Sequence, residues 1–256
     1  SLDNAVSSWL TMSRTSLAMF NLTEIGFFVK WNAVIYKINM IIIKYNLKEH
    51  KQIINLCVKA LKQGKTVVYP TDTSYGLACD ATNPKALTKV YKIKERGGSQ
   101  PMHVIPPSLA YARKVSKWNI SAEKLVKKFW PGPLTLVLPL ASKQLGLLKV
   151  SAGSGTIGLR IPKHKIAQDL ARFLKVPITT ASANPSAHLS GGFDSYSGAD
   201  VVKQFSKQHY KPDILIDAGT LLARKPSTIF KLVGDGMEVL RKGTISEKQI
   251  VKIVNL

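Results

Sequence analysis

Cysteine is almost missing from this chain: 256 residues contain only Cys57 and Cys79. Two thiols cannot staple a small secreted scaffold, and such scarcity fits a reducing compartment. Long hydrophobic runs are missing as well. No stretch reaches the ~18 consecutive apolar residues of a membrane-spanning helix. The best candidates, 25–29 and 40–43, are hemmed by Lys30, Lys37 and Lys44. No basic segment leads into an apolar one, as a secretory signal requires. A mitochondrial presequence is disfavoured because Arg14 is the lone early arginine and Asp3 is acidic. A cytoplasmic protein without a membrane partner is the expectation. His50, His103, His164, His188 and His209 show no ligand spacing, so no metal site built from protein side chains is expected. A phosphate-binding G-x-x-x-x-G-K-[ST] loop is absent, and no G-x-S-x-G elbow supports serine catalysis.

Acidic residues are scarce: 15 Asp and Glu face 37 Lys and Arg, for a net charge of +22. Such a field favours nucleotides, RNA or anionic surfaces. However, 30 of the 37 are scattered lysines, which reads equally well as a compositional bias. The seven arginines say more, because their planar fork suits carboxylate and phosphate. With 45% hydrophobic residues the chain can bury a sizeable core.

Residues 1–39 carry few charges and no sustained helical spacing, and they read as an accessory extension to a domain beginning near Met40. From there the spacing predicts strands at 40–45, 66–69, 104–105, 134–140, 156–161, 177–180, 214–217, 227–233 and 238–242. Helices are predicted at 49–63, 84–94, 122–129, 165–174 and 199–208, the second opened by Asn83 and Pro84. Strands alternating with helices imply an α/β fold with a substantially parallel sheet. No linker forces a division of 40–256 into two domains.

Several polar segments follow predicted strands, where open α/β sheets place ligands. Tyr69–Leu77 combines hydroxyls with Asp72, and Thr179–Ser186 brings small hydroxyl and amide groups. Each alone reads as readily as a turn. Lys92, Lys94 and Arg96 crowd a helix end, where they complement the helix dipole or converge on an anion. Gly153–Gly158 matches G-x-G-x-x-G, but Leu159-Arg160-Ile161-Pro162 is strand-like, whereas a dinucleotide fingerprint must open a helix.

The order of these segments is more specific than any one of them. Tyr69–Leu77, Lys94-Glu95-Arg96, Trp130-Pro131-Gly132-Pro133-Leu134-Thr135, Thr156–Pro162, Ser182-Ala183-Asn184, Pro226-Ser227-Thr228 and Leu240-Arg241-Lys242-Gly243 together resemble the YrdC/Sua5 family of threonylcarbamoyl-AMP synthases. The resemblance implies a single YrdC-like domain over 40–256, a twisted mixed parallel and antiparallel sheet with flanking helices and a deep basic cleft. It implies that L-threonine, bicarbonate and ATP give threonylcarbamoyl-adenylate and pyrophosphate, with Mg2+ accompanying ATP. The product would feed t6A modification of tRNA through a downstream transferase machinery, with tRNA or double-stranded RNA as a further partner.

By the same resemblance Lys94, Arg96, Ser182 and Asn184 surround ATP and the carbamate. Thr73, Arg160, Thr180 and Ser227 hold threonine, and Gln100, Thr156, Ser190 and Arg241 join Arg96 and Ser182 on the nucleotide. Three departures stand out. Gln100 replaces the usual Lys or Asn, Ser186 is followed by Ala187 rather than Gly, and a histidine usual in the family falls at Ile105 while His103 sits two residues earlier. A YciO-like paralogue and a non-catalytic RNA-binding or ribosome-maturation factor are the competing readings. The complete Lys/Arg/Ser/Asn set argues against the first, and small hydroxyls after successive strands against the second.

Overall fold

A computed structural model describes residues 34–35, 40–98, 100–185, 193–234 and 236–255. The first sheet runs β1 (Val34–Ile35), β2 (Ile41–Lys44), β10 (Ile214–Asp217), β3 (Val67–Tyr69), β4 (Gly76–Ala78), β9 (Ala181–Ser182). Strands β2, β10 and β3 are parallel, and the other pairings are antiparallel. The second sheet runs β12 (Gly236–Arg241), β11 (Thr228–Val233), β6 (Leu134–Pro139), β7 (Thr156–Leu159), β5 (His103–Ile105), β8 (Ile178–Thr179). Its parallel pairs are β11 with β6 and β5 with β7.

The mixed α/β character is as expected, but there are two six-stranded sheets rather than one. The division falls at Thr180. Strand β8 belongs to the second sheet and β9 to the first, so a single residue carries the chain between them. The junction is stitched by buried bonds: Tyr69 Oη donates to the Thr179 carbonyl (3.1 Å), Thr179 Oγ1 donates to the Leu77 carbonyl (2.9 Å), and Cys79 N–H donates to Thr179 Oγ1 (3.0 Å). Strand β4 went unrecognised because three residues beginning with glycine carry little strand propensity; its partner Ser182 lies far along the chain.

Alternation explains why the first sheet is so apolar. Met40, Ile42, Val68, Leu77 and Leu215 enter one core, while Ile41, Ile43, Val67, Tyr69, Ala78, Ile214 and Ile216 enter another. A sheet buried on both faces must read as continuous hydrophobic runs. The second core is closed by α1 (His50–Lys62) and α6 (Lys165–Leu174), which pack on each other and bring Ile53, Ile54, Cys57, Leu61, Ile166 and Leu170 into it. The larger core lies against α2 (Pro84–Ile93), α3 (Leu109–Val115), α4 (Ile120–Phe129), α5 (Leu145–Val150), α7 (Gly198–Phe205) and α8 (Glu247–Val254).

Local chemistry sets most of these boundaries. Asn83 Oδ1 accepts from the N–H groups of Lys85 (3.0 Å) and Ala86 (3.2 Å), and Pro84 occupies the first turn. Asn119 caps α4, which starts two residues before its expected position. Ser197 with Asp200 and Ser246 with Gln249 form capping boxes on α7 and α8. The short helices α3 and α5, and α8, are additions to the expected set of helices. No described helix is long and apolar enough to cross a membrane. Of the expected accessory extension only Val34 and Ile35 are described; they pair with Ile42 and Ile41, so the sheet reaches beyond Met40.

Candidate functional site

The junction between the sheets opens into one cleft. Its lining comes from the β3–β4 loop (Thr71, Thr73, Ser74, Tyr75), from Gly76 at the start of β4, from the segment between α2 and β5 (Arg96, Pro101, Met102) and from β5 itself (His103). Strand β6 adds Thr135, and Arg160 follows β7. The β8–β9 crossover (Thr180, Ala181, Ser182), Asp194, the entry to β11 (Pro226, Ser227) and Arg241 of β12 complete it.

The three arginines arrive differently. Arg160 is buried and follows β7, with each guanidinium nitrogen engaged. Nε donates to the Gly132 carbonyl (3.2 Å), Nη1 to Thr73 Oγ1 (3.2 Å) and Nη2 to Asp72 Oδ1 (2.5 Å). Each terminal nitrogen keeps a second N–H. Arg241 is anchored on the Ser227 carbonyl through Nε (3.1 Å) and Nη2 (2.9 Å), and Nη2 also reaches Ser227 Oγ (2.9 Å). A Cβ on Gly243 would fall 2.3 Å from the Pro226 carbonyl oxygen, so the Arg241-Lys242-Gly243 turn fits only against a glycine.

Arg96 is the one left waiting. Its Nε is buried and has no hydrogen-bond partner among the described residues. Burial holds all three guanidinium pKa values below the ordinary arginine range, and Arg160 and Arg96 add repulsion at Arg241. An anion in the cleft relieves both effects.

The backbone explains how Lys94 and Arg96 part company. Helix α2 ends in a Schellman motif, with Arg96 N–H donating to the Tyr91 carbonyl (3.0 Å) and Glu95 N–H to that of Lys92 (3.1 Å). Glu95 takes the left-handed conformation (φ 50°) that this motif requires. The reversal sends Arg96 into the cleft and Lys94 behind its wall.

Lys94 is fully buried and does not line the cleft. Its Nζ donates to Asn184 Oδ1 (2.6 Å), the carbonyls of Ser182 (2.6 Å) and Asn184 (2.7 Å), and more weakly to Ser182 Oγ (3.3 Å). Burial, with Arg96 adding, pushes its ammonium down to about 7. Ser182 Oγ donates to Asn184 Oδ1 (2.6 Å), so lysine, serine and asparagine form one knot at the crossover.

Hydroxyls fill the space between the charges. Strand alternation buries Leu134, Leu136 and Leu138 in the core and turns Thr135 to the cleft, where its Oγ1 lies 2.9 Å from Ser227 Oγ. Thr71 Oγ1 lies 3.1 Å from Thr73 Oγ1. His103 is half-buried, and burial followed by Arg241, Arg160 and Arg96 pushes its pKa down to about 4, so the ring is neutral. The loop that carries Asp194 is held against the Tyr75 loop: Ser195 Oγ donates to the Ala183 carbonyl (2.8 Å) and Tyr75 N–H to that of Ser195 (2.8 Å).

The cleft therefore gathers Arg96, Ser182, Thr73, Arg160, Thr180, Ser227 and Arg241, with Lys94 and Asn184 directly behind its wall. Gln100 is exposed and Thr156, which opens β7 and lies 2.9 Å from Ser154 Oγ, is part-exposed; neither is in the lining. Ser190 lies outside the described residues, as do Ser186 and Ala187. Thr71, Ser74 and Tyr75 join the lining from the hydroxyl-rich segment Tyr69–Leu77, and Thr135 and Asp194 are further lining residues. Thr135 sat inside a quoted motif, whereas nothing local marked Asp194. Both cysteines are free, fully buried in the two cores and away from the cleft.

Fold and site define an α/β protein whose cleft between two sheets gathers three arginines and small hydroxyls, with neither cysteine in the lining. The sequence model of the Sua5/yciO/yrdC family, described as telomere recombination, matches residues 59–243, and the chain belongs to that family. A Methanocaldococcus jannaschii protein is 34% identical over 82% of this chain and 95% of its own length. The threonylcarbamoyl-AMP synthase of Pyrococcus abyssi is 31% identical over 78% of this chain, which spans only 57% of that longer protein. The crystal structure of P. abyssi Sua5 complexed with L-threonine superposes with a TM-score of 0.73 at 30% identity, covering 83% of this chain and 59% of that one.

Proposed function

We propose that this protein is an L-threonylcarbamoyladenylate synthase, an ATP-consuming nucleotidyltransferase that supplies the intermediate for t6A in tRNA. The observation that carries the reading is the convergence of three guanidiniums, Arg160 buried and Arg96 without an acceptor for its buried Nε, in one hydroxyl-lined cleft. The relatives named above support the choice of threonine and of adenylate chemistry.

The chemistry needs no protein nucleophile. The threonine amine adds to the carbon of bicarbonate, water departs, and a carbamate forms. A carbamate oxygen then attacks the α-phosphorus of ATP and pyrophosphate leaves. The protein's task is to hold two anions together and to meet the charge that develops on the departing phosphates. The free N–H groups of Arg160 suit the threonine carboxylate, with Thr73, Thr180 and Ser227 beside it. Arg96 and Arg241 suit the phosphates. Lys94 acts one step back, fixing Ser182 and Asn184 at the crossover.

The residues present fit magnesium carried by ATP rather than a protein cage. No described group of three or more His, Cys, Asp or Glu could hold a metal ion, and Asp194 is the carboxylate in the lining. Magnesium is commonly held by one or two carboxylates together with substrate phosphates. Bound so, it would neutralise phosphate charge.

Incubation with ATP, threonine and 14C-bicarbonate tests the assignment. Labelled adenylate and pyrophosphate in equal amounts are expected; pyrophosphate release that ignores threonine, or no labelled adenylate, refutes it. tRNA and a downstream t6A transferase are the proposed consumers, tested by adding tRNA and a transferase from a t6A-forming organism and measuring labelled t6A.

A further inference from the structure

Taking the cleft as a threonine and ATP site, we propose that His103 recognises the substrate amine: its imidazole accepts a hydrogen bond from that amine between Arg160 and Thr180. The placement comes from three adjacent strand ends. In the second sheet β5 lies between β7 and β8, with His103 in register with Gly158. Arg160 N–H donates to the Val104 carbonyl (3.0 Å) and Thr180 N–H to the His103 carbonyl (2.9 Å). His103 is thus flanked by the arginine suited to the carboxylate and by the crossover threonine. In an α-amino acid the amine sits one carbon from the carboxylate, so it falls beside the same ring.

The ring is held in place by what its neighbour lacks. A Cβ on Gly158 would lie 2.2 Å from His103 Cδ2 and 3.1 Å from Nε2, so the imidazole rests directly on the β7 backbone. No described residue hydrogen-bonds its nitrogens, although the ring lines the cleft.

Three of the neighbouring hydroxyls already have partners. Thr73 Oγ1 meets Thr71 and Arg160, Ser227 Oγ meets Thr135 and Arg241, and Ser182 Oγ meets Asn184 and Lys94. Asp194 interacts electrostatically with Lys94 and Arg241. An amine must find a lone pair, and an imidazolium has none to give. Burial, with the surrounding guanidiniums adding, keeps His103 neutral, its pKa pushed down to about 4.

The experiment compares two ligands by calorimetric titration and competition: L-threonine, and 3-hydroxybutanoate, which keeps the carboxylate and hydroxyl but has no amine. His103→Ala is expected to weaken threonine about tenfold, the loss of about one net hydrogen bond. Its affinity for 3-hydroxybutanoate and ATP should stay within twofold. His103→Gln, which restores an acceptor, should recover most of the threonine affinity, and it replaces His103→Ala in the comparison if that variant fails to fold. Equal weakening of both ligands means that His103 only shapes the cleft, and unchanged threonine affinity means no contact; either overturns the proposal. If the unmodified protein binds no threonine, the function itself falls, a result distinct from both.

Discussion

Arg160→Lys tests whether this cleft needs a fork or only a charge. Arg160 is tied at 3.2, 3.2 and 2.5 Å to Gly132, Thr73 and Asp72. The ion pair with Asp72 is buried, with side chains only 6% and 8% exposed. Lysine keeps the charge opposite Asp72, so the strongly destabilising outcome of an orphaned buried carboxylate is avoided. Its single nitrogen cannot serve Gly132 and Thr73 as well. Two bonds from a charged donor, each ~1.5 kcal/mol, amount to roughly 3 kcal/mol of stability, or ~6–12 °C in melting temperature for a chain of this size. Threonine loses a two-pronged partner for its carboxylate, about 1.5–3 kcal/mol, or roughly 10- to 150-fold in Kd. Calorimetric titration with threonine and with ATP, on protein shown folded by circular dichroism, separates the two effects. ATP affinity should hold within about twofold, because Arg96 and Arg241 are untouched. Threonine affinity unchanged in the folded variant would refute the assignment of Arg160 to the carboxylate. An equal loss for ATP would mean that the substitution collapses the whole cleft.

Lys94→Met removes the donor that ties Ser182 to Asn184, so turnover should fall at least 100-fold while the threonine KM changes less than tenfold; steady-state pyrophosphate release measures both, and turnover within threefold would show that the knot is dispensable. Stability should depend on pH through His103. Its folded pKa of about 4 lies below the ordinary 6.5, so the unfolded chain binds the proton first. This contribution is complete above pH 6.5 and is lost as pH falls through 4, at most ~3 kcal/mol. Urea midpoints at pH 7, 5.5 and 4 should therefore fall more steeply for the unmodified protein than for His103→Gln, and parallel slopes would contradict the shift. Burial pushes the thiol of Cys79 up to about 12 and that of Cys57 higher still. Replacing both with Ala should keep turnover within a few-fold, and abolished turnover in folded protein would assign a thiol to the chemistry.

The sequence determined the elements whose signals are local. Asn83 with Pro84 marked α2, the apolar spacing of Ile53, Ile54, Cys57 and Leu61 marked α1, and continuous apolar runs marked the strands of a sheet buried on both faces. It also named the cleft's arginines, because Arg96, Arg160 and Arg241 each sit in a short ordered motif. Tertiary structure decided the rest, because pairing over long separations leaves no local trace. The division into two sheets depends on Gly76–Ala78 finding Ala181–Ser182 about a hundred residues on, which no periodicity announces. Lys94 and Arg96 are two residues apart in one motif, yet the left-handed turn at Glu95 puts one behind the wall and the other in the cleft. Asp194 and His103 carried no catalytic signature. They became site residues when the chain crossed between sheets at Thr180 and brought their loops to the same opening.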